Sequence, residues 1–224
     1  MSKFKALILG LLLLVPIFVF IFISTFGEHH FSLRTYFPER TEAGEVVYDA
    51  KGDTVFHQVA DFRFLSQQGD TVSQSEALSG ALYVAGFSHI SCPESCQKKF
   101  SQLVRVQEAF EDYPSLKILS FMVSTSENHP VEVMKDYAST YSANPEKWFF
   151  LTGSYEDIAN TATQDFFITD EKVVVDEHVV YSERFFLVDK ERRIRGIYNG
   201  TDPVDVDRMI LEVNVLLDEY SKSK

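Results

Sequence analysis

The hydrophobic and polar positions divide the chain into three stretches. No charged residue occurs from Ala6 to Gly27, and the run Ala6–Ile23 is almost wholly apolar. As a helix, a run of that length reaches across a bilayer core of about 30 Å. It exceeds the apolar part of a signal peptide, and Ser24-Thr25-Phe26-Gly27 makes a poor cleavage site. Residues 1–27 are therefore expected to be a transmembrane anchor. Lys3 and Lys5 precede the run and Glu28 follows it, so the positive-inside rule places the N-terminus in the cytoplasm and the rest of the chain outside. Residues 28–45, with His29, His30, Pro38 and Gly44 and no periodicity, are expected to be a tether, its paired histidines solvated rather than metal-bound.

From about Val46 the pattern becomes that of a folded domain. Asp61–Leu65 alternates, Gln67-Gln68-Gly69-Asp70 turns, and Thr71–Ser73 resumes, which predicts a strand–turn–strand unit. Gly80–Phe87 is nearly continuous in apolar residues, as a strand buried on both faces requires, and it delivers the chain to His89-Ile90-Ser91-Cys92. Beyond Cys96, the residues Phe100, Leu103, Val104, Val106, Ala109 and Phe110 form a helical stripe, with Lys98, Lys99, Arg105, Glu108 and Glu111 between them. Pro114 stops this helix. Lys117–Val123 reads as the next buried strand, Val131–Tyr141 as a helix opened by Pro130, Trp148–Leu151 as a strand and Tyr155–Thr163 as a short helix. Val173–Val175 and Val179–Tyr181 flank Asp176-Glu177-His178 like hairpin arms. They lead into a strand at Arg184–Val188 with a partner at Ile194–Tyr198. Val206, Met209, Ile210, Val213, Leu216 and Leu217 mark a closing helix. Strands alternating with helices over 46–224 predict an α/β fold with a mixed central sheet.

The chain has 224 residues and a net charge of -12. That acidity argues against nucleic acid, whose phosphates would be repelled, and suits a cationic partner or plain solubility.

The two cysteines carry the candidate chemistry. Cys92 and Cys96 are the only ones in the chain, and they sit where a buried strand gives way to a helix. Open α/β sheets place their sites outside the carboxyl ends of their strands. A helix N-terminus favours the thiolate, and Lys98 and Lys99 add positive potential. Spaced i, i+4 on a helix, two sulfurs share one face, so they can close a disulfide or grip one metal ion. The pair is expected to be exposed and redox-active; an inert structural disulfide is the alternative. Two thiolates suit Cu(I), and a nearby imidazole would extend the set to Cu(II).

Tyr83-Val-Ala-Gly-Phe-Ser-His-Ile-Ser-Cys92-Pro-Glu-Ser-Cys96 resembles the strand and C-P-x-x-C loop of the SCO/SenC family. The likeness runs on through Arg105–Phe110, Lys117–Phe121, Val133–Ala138, Lys147–Gly153, Ser182–Asp189 and Arg193–Gly200, which is essentially the whole domain. The resemblance implies a membrane-anchored, thioredoxin-like domain that binds copper and helps assemble the copper centre of cytochrome c oxidase. It implies a copper-containing oxidase subunit as partner, and Cys92 and Cys96 as ligands.

Three departures bear on that reading. Gln97 stands where the family has a second proline, and Ser124-Thr125 where it has Asp-Pro. Tyr181 stands where the family's third copper ligand, a histidine, is expected. His178 lies three residues earlier; an odd offset along a strand points it to the other sheet face, unless a bulge restores it as the third ligand. His89 is another candidate ligand, read in preference as a partly buried strand residue. Cu(I) is therefore the favoured cargo, and Cu(II) is expected to bind weakly unless His178 swings in. Three functions remain open: copper handling for an oxidase, thiol–disulfide exchange with Cys92 attacking and Cys96 resolving, and a partner that binds neither metal nor substrate. No proline occurs between Pro145 and Pro203, so the cis-proline of general thioredoxins is missing.

Overall fold

The computed structural model describes residues 3–26, 32–90, 94–123, 130–169 and 181–222. The chain forms two compact units, Met1–Ser32 and Leu33–Lys224. The first holds helix α1 (Lys3–Phe26), with Pro16 inside it. Its described side chains are those of Lys5 and residues 12–22, and all of them are exposed. Among the described residues, no helix is long and apolar enough to cross a membrane.

The second unit is built on one sheet. Its strands are β1 (Arg63–Ser66), β2 (Thr71–Ser73), β3 (Leu82–His89), β4 (Leu116–Val123), β5 (Trp148–Thr152), β6 (Arg184–Val188) and β7 (Ile194–Asn199). The helices are α2 (Glu94–Ala109), α3 (Pro130–Thr140), α4 (Tyr155–Asn160) and α5 (Pro203–Lys222), and a π-helical turn over Thr161–Asp165 extends α4. The strand order is β2-β1-β5-β4-β3-β6-β7. β3, β4 and β5 are mutually parallel, whereas β1 lies antiparallel to β5 and β6 antiparallel to β3. This is the mixed sheet that the alternating pattern predicts. The hairpin arms expected at 173–181 lie, except for Tyr181, outside the described residues.

β3 runs through the middle of the sheet, buried on both faces, which is why its sequence is apolar without a break. Its pleat sends Leu82 and Val84 into one core and Tyr83, Ala85 and Phe87 into the other. The first core takes Cys96, Phe100, Leu103 and Val106 from α2, Met134 from α3, and Val206, Met209, Val213 and Leu216 from α5. Each such side chain contributes about 1.5–3 kcal/mol through burial. The opposite core takes Ile158, Ala162 and Phe166 from α4 and the turn that follows.

The folded unit begins at Leu33 rather than near Val46, so residues 33–45 are more than a tether. Arg195, almost fully buried, donates to the carbonyls of Leu33 (2.8 Å) and Arg34 (3.4 Å) and pairs with the buried Asp189 (3.1 Å). Tyr36 N–H donates to Ile194 O, and Glu39 and Val47 join a ladder of isolated bridges with 46–56. Single bridges leave no period in the sequence, so this arm is invisible to pattern reading.

Candidate functional site

β3 ends at His89 and α2 begins at Glu94, so the cysteine segment leaves the carboxyl end of a central parallel strand. Cys92 falls in 91–93, outside the described residues. Cys96, in the first turn of α2, is disulfide-bonded, and the chain has one other cysteine. Cys96 is fully buried, whereas an exposed pair was expected. The reason is helical phase. The α2 face made by 96, 99, 100, 103 and 106 turns inward onto the sheet, and the Cys96 sulfur goes with it.

Lys99 lies on that same face and is only 1 % exposed. Its ammonium donates to Phe87 O (2.8 Å), Ser88 Oγ (3.2 Å) and Ser182 O, so one nitrogen ties the end of β3, helix α2 and the approach to β6. It also stands 5.1 Å from the centroid of the Tyr181 ring and 5.7 Å from that of Phe185, within cation–π range. Three residues from Cys96 on a helix, it holds a positive charge on the face that carries the sulfur, which favours an anionic sulfur once the disulfide is reduced. Sequence reading grouped Lys99 with the outward lysines. The signal was available: position 99 falls on the stripe 96–100–103, whereas Lys98 does not and is exposed.

Tyr181 is buried in the same core as Cys96, on the α2 side of the sheet. His89 is half-buried at the end of β3, and burial lowers its pKa, as befits a neutral strand-end histidine. His178 lies outside the described residues. Among the described residues, no three His, Cys, Asp or Glu side chains are grouped to hold a metal ion. A residue that the pattern did not reveal is Tyr137 on α3, whose hydroxyl donates to Ile90 O (2.8 Å), just before the cysteine segment.

The family model described as SCO1/SenC matches residues 51–217, well over half of the chain. The chain belongs to the SCO1/SenC family. It is 27% identical over 163 residues to the SCO1 protein homolog of Bacillus subtilis, covering 72% of this chain and 83% of that one. The solved structure of BsSco, described as a member of the Sco family of cytochrome c oxidase assembly proteins with a disulfide switch, is 27% identical. It superposes with a TM-score of 0.61 over 71% of this chain and 93% of its own. Bradyrhizobium japonicum ScoI with copper bound shares the fold (TM-score 0.53, 21% identity, 67% of this chain and 98% of that one). In this Sco domain the family fold brings Cys96, Lys99 and Tyr181 to one side of the sheet.

Proposed function

We propose that this Sco chain is a membrane-anchored assembly factor for cytochrome c oxidase, acting through Cys92 and Cys96 on copper, on thiols, or on both in turn. The observation that carries the reading is the disulfide of Cys96 at the start of α2, beside the carboxyl end of β3. A disulfide offers no thiolate. Two electrons and two protons convert it to two thiols, whose deprotonated sulfurs are soft donors suited to Cu(I). Oxidation state and cargo are thus linked: the reduced chain can load copper and the oxidised chain cannot. The relatives support both halves, one named for a disulfide switch and another solved with copper bound. His178 is the proposed third donor, and Cu(I) the preferred cargo.

The anchor is the second part of the proposal. A helix apolar on all sides has no face to turn toward water, and the charge-free stretch from Ala6 to Gly27 is long enough to span a bilayer. Lys3 and Lys5 before it, and Glu28 after it, favour an extracytoplasmic domain. Full-length chain is expected to stay with the membrane pellet through carbonate extraction, and its release into the supernatant would remove the anchor from this reading.

Thiol exchange on another extracytoplasmic protein is the second reading, favoured by Tyr181 in the place of the family's imidazole. The deciding experiment is titration of the reduced full chain with Cu(I) against a competing chelator, repeated for Cys92→Ser and Tyr181→His. Tight Cu(I) binding lost in Cys92→Ser supports copper handling, and a gain in Cu(II) affinity for Tyr181→His places residue 181 at the metal. Absence of Cu(I) binding by the reduced chain overturns copper handling, and reaction with a disulfide probe then separates thiol exchange from a partner that binds neither metal nor substrate.

A further inference from the structure

Between α2 and α3 a cleft of about 220 Å³ opens onto Cys96. Cys96 and Phe100, both fully buried, form its floor; Val133, Tyr137 and Tyr141 form its walls. We propose that this cleft is the docking pocket for the thiol-bearing segment of the chain's exchange partner, and that it takes an apolar side chain with a basic residue beside it. The proposal rests on reading Cys92 and Cys96 as an exchanging pair.

Volume, rigidity and charge each narrow the occupant. The cleft falls short of the roughly 300–1,000 Å³ of small-molecule sites, and suits one large side chain better than a cofactor. Its walls are held by rings that reach into the core. Phe100 packs on Tyr137 (5.4 Å between centroids) and Tyr141 (5.1 Å), Tyr137 stacks on Phe150 (6.3 Å), and Tyr141 leans on Trp148 (6.4 Å). A pocket already shaped does not have to be ordered when its guest arrives. Of the residues lining it, Asp136 alone is charged. Its side chain is exposed at the rim and enters no ion pair among the described residues. A basic residue on the guest would supply one, and the chain's net charge of -12 steers cationic partners in general. The pocket also reaches the reacting segment, because the Tyr137 hydroxyl on its wall bonds Ile90 O, two residues before Cys92. A guest seated there lies against Cys96, the described member of the pair.

The exchange balances in two steps. A thiolate of the reduced chain attacks the guest's disulfide sulfur and expels the other half as a thiolate. The remaining thiol then attacks the mixed disulfide, closing Cys92–Cys96 and releasing the guest thiol. Two electrons and two protons pass from the chain to the guest.

The test uses the reduced full chain in detergent and three cysteine peptides, each a mixed disulfide with thionitrobenzoate, with neighbours Leu-Lys, Leu-Glu or Ser-Lys. Release of thionitrobenzoate gives the rate, and a small neutral dipyridyl disulfide reports whether the thiols exchange at all. The Leu-Lys peptide is expected to react about fivefold faster than Leu-Glu, the ratio that an attractive against a repulsive exposed charge pair supplies. Asp136→Lys should invert that ratio, and Thr140→Trp, which fills the cleft from its exposed rim, should erase the advantage of Leu-Lys over Ser-Lys. Equal rates for the three peptides, in a chain that reacts with the small disulfide, overturn the pocket and leave thiol exchange standing. Failure to react with any of the four overturns the exchange reading and the pocket with it.

Discussion

At Lys99 a charged nitrogen replaces what would ordinarily be an apolar contact in a core. Taking an ammonium out of water costs several kcal/mol unless hydrogen bonds return it, and here two backbone carbonyls and a serine hydroxyl accept from it. Lys99→Met keeps the stem but takes the ammonium from Ser182 O and Ser88 Oγ and leaves Phe87 O with only the Ser182 N–H (3.4 Å). The expected loss is about 3 kcal/mol in equilibrium denaturation, since bonds to a charged group contribute about 1.5–3 kcal/mol each and stranded buried groups keep their desolvation cost. A loss under about 1 kcal/mol would mean that water takes the place of the ammonium. Tyr181 shares in this arrangement. An imidazole put there would sit beside a fixed positive charge, which would hold it neutral, the form that ligates metal.

At the scale of elements, the join between β7 and α5 depends on a missing side chain. A Cβ on Gly196 would collide with the Tyr198 hydroxyl and ring, which cross directly over it to bond Glu212 on α5 (2.6 Å). Gly196→Ala is therefore expected to cost at least about 3 kcal/mol, the upper end for overpacking, and Tyr198→Ala in the same chain should recover part of it. Thermal melts of the single and double variants decide this, and a single variant as stable as the parent would refute it. Every strand and helix with a clear period was legible in advance: β3, β4, α2, α3 and α5 were each placed within a few residues, because burial on one face or both writes itself into apolar spacing. Three features were not legible. The arm from Leu33 holds by single bridges, the π-helical turn at Thr161–Asp165 continues α4 without altering its stripe, and Lys99 breaks the rule that equates lysine with solvent. At the site the pattern located Cys96 but not its burial, because helix phase relative to the sheet is a tertiary fact.

For the whole molecule, the buried phenols set an alkaline limit. Burial raises the pKa of Tyr83, helped by the Asp165 charge, and burial with a carboxylate partner raises those of Tyr198 and Tyr220. Below pH 10 these groups are protonated in both folded and unfolded chains. Above it the unfolded chain ionises its tyrosines while the folded one holds its protons, so stability falls as pH rises. Burial raises the Tyr141 pKa as well, and Lys147, whose pKa burial lowers, opposes these four phenols with one group. The melting temperature should stay level from pH 8 to about 9.5 and decline beyond 10. The decline should be shallower in Tyr83→Phe, which also gives up the bond to Gln74 (2.8 Å); a flat profile to pH 11 would contradict the assignment. The two inward lysines have a consequence for chemical labelling as well. Lys99 and Lys147 both spend their nitrogens on carbonyls inside the fold. An acylating reagent applied to the native chain meets exposed lysines such as Lys98 and Lys135 first, and acylation of Lys99 becomes a stopwatch for the opening of the cysteine helix.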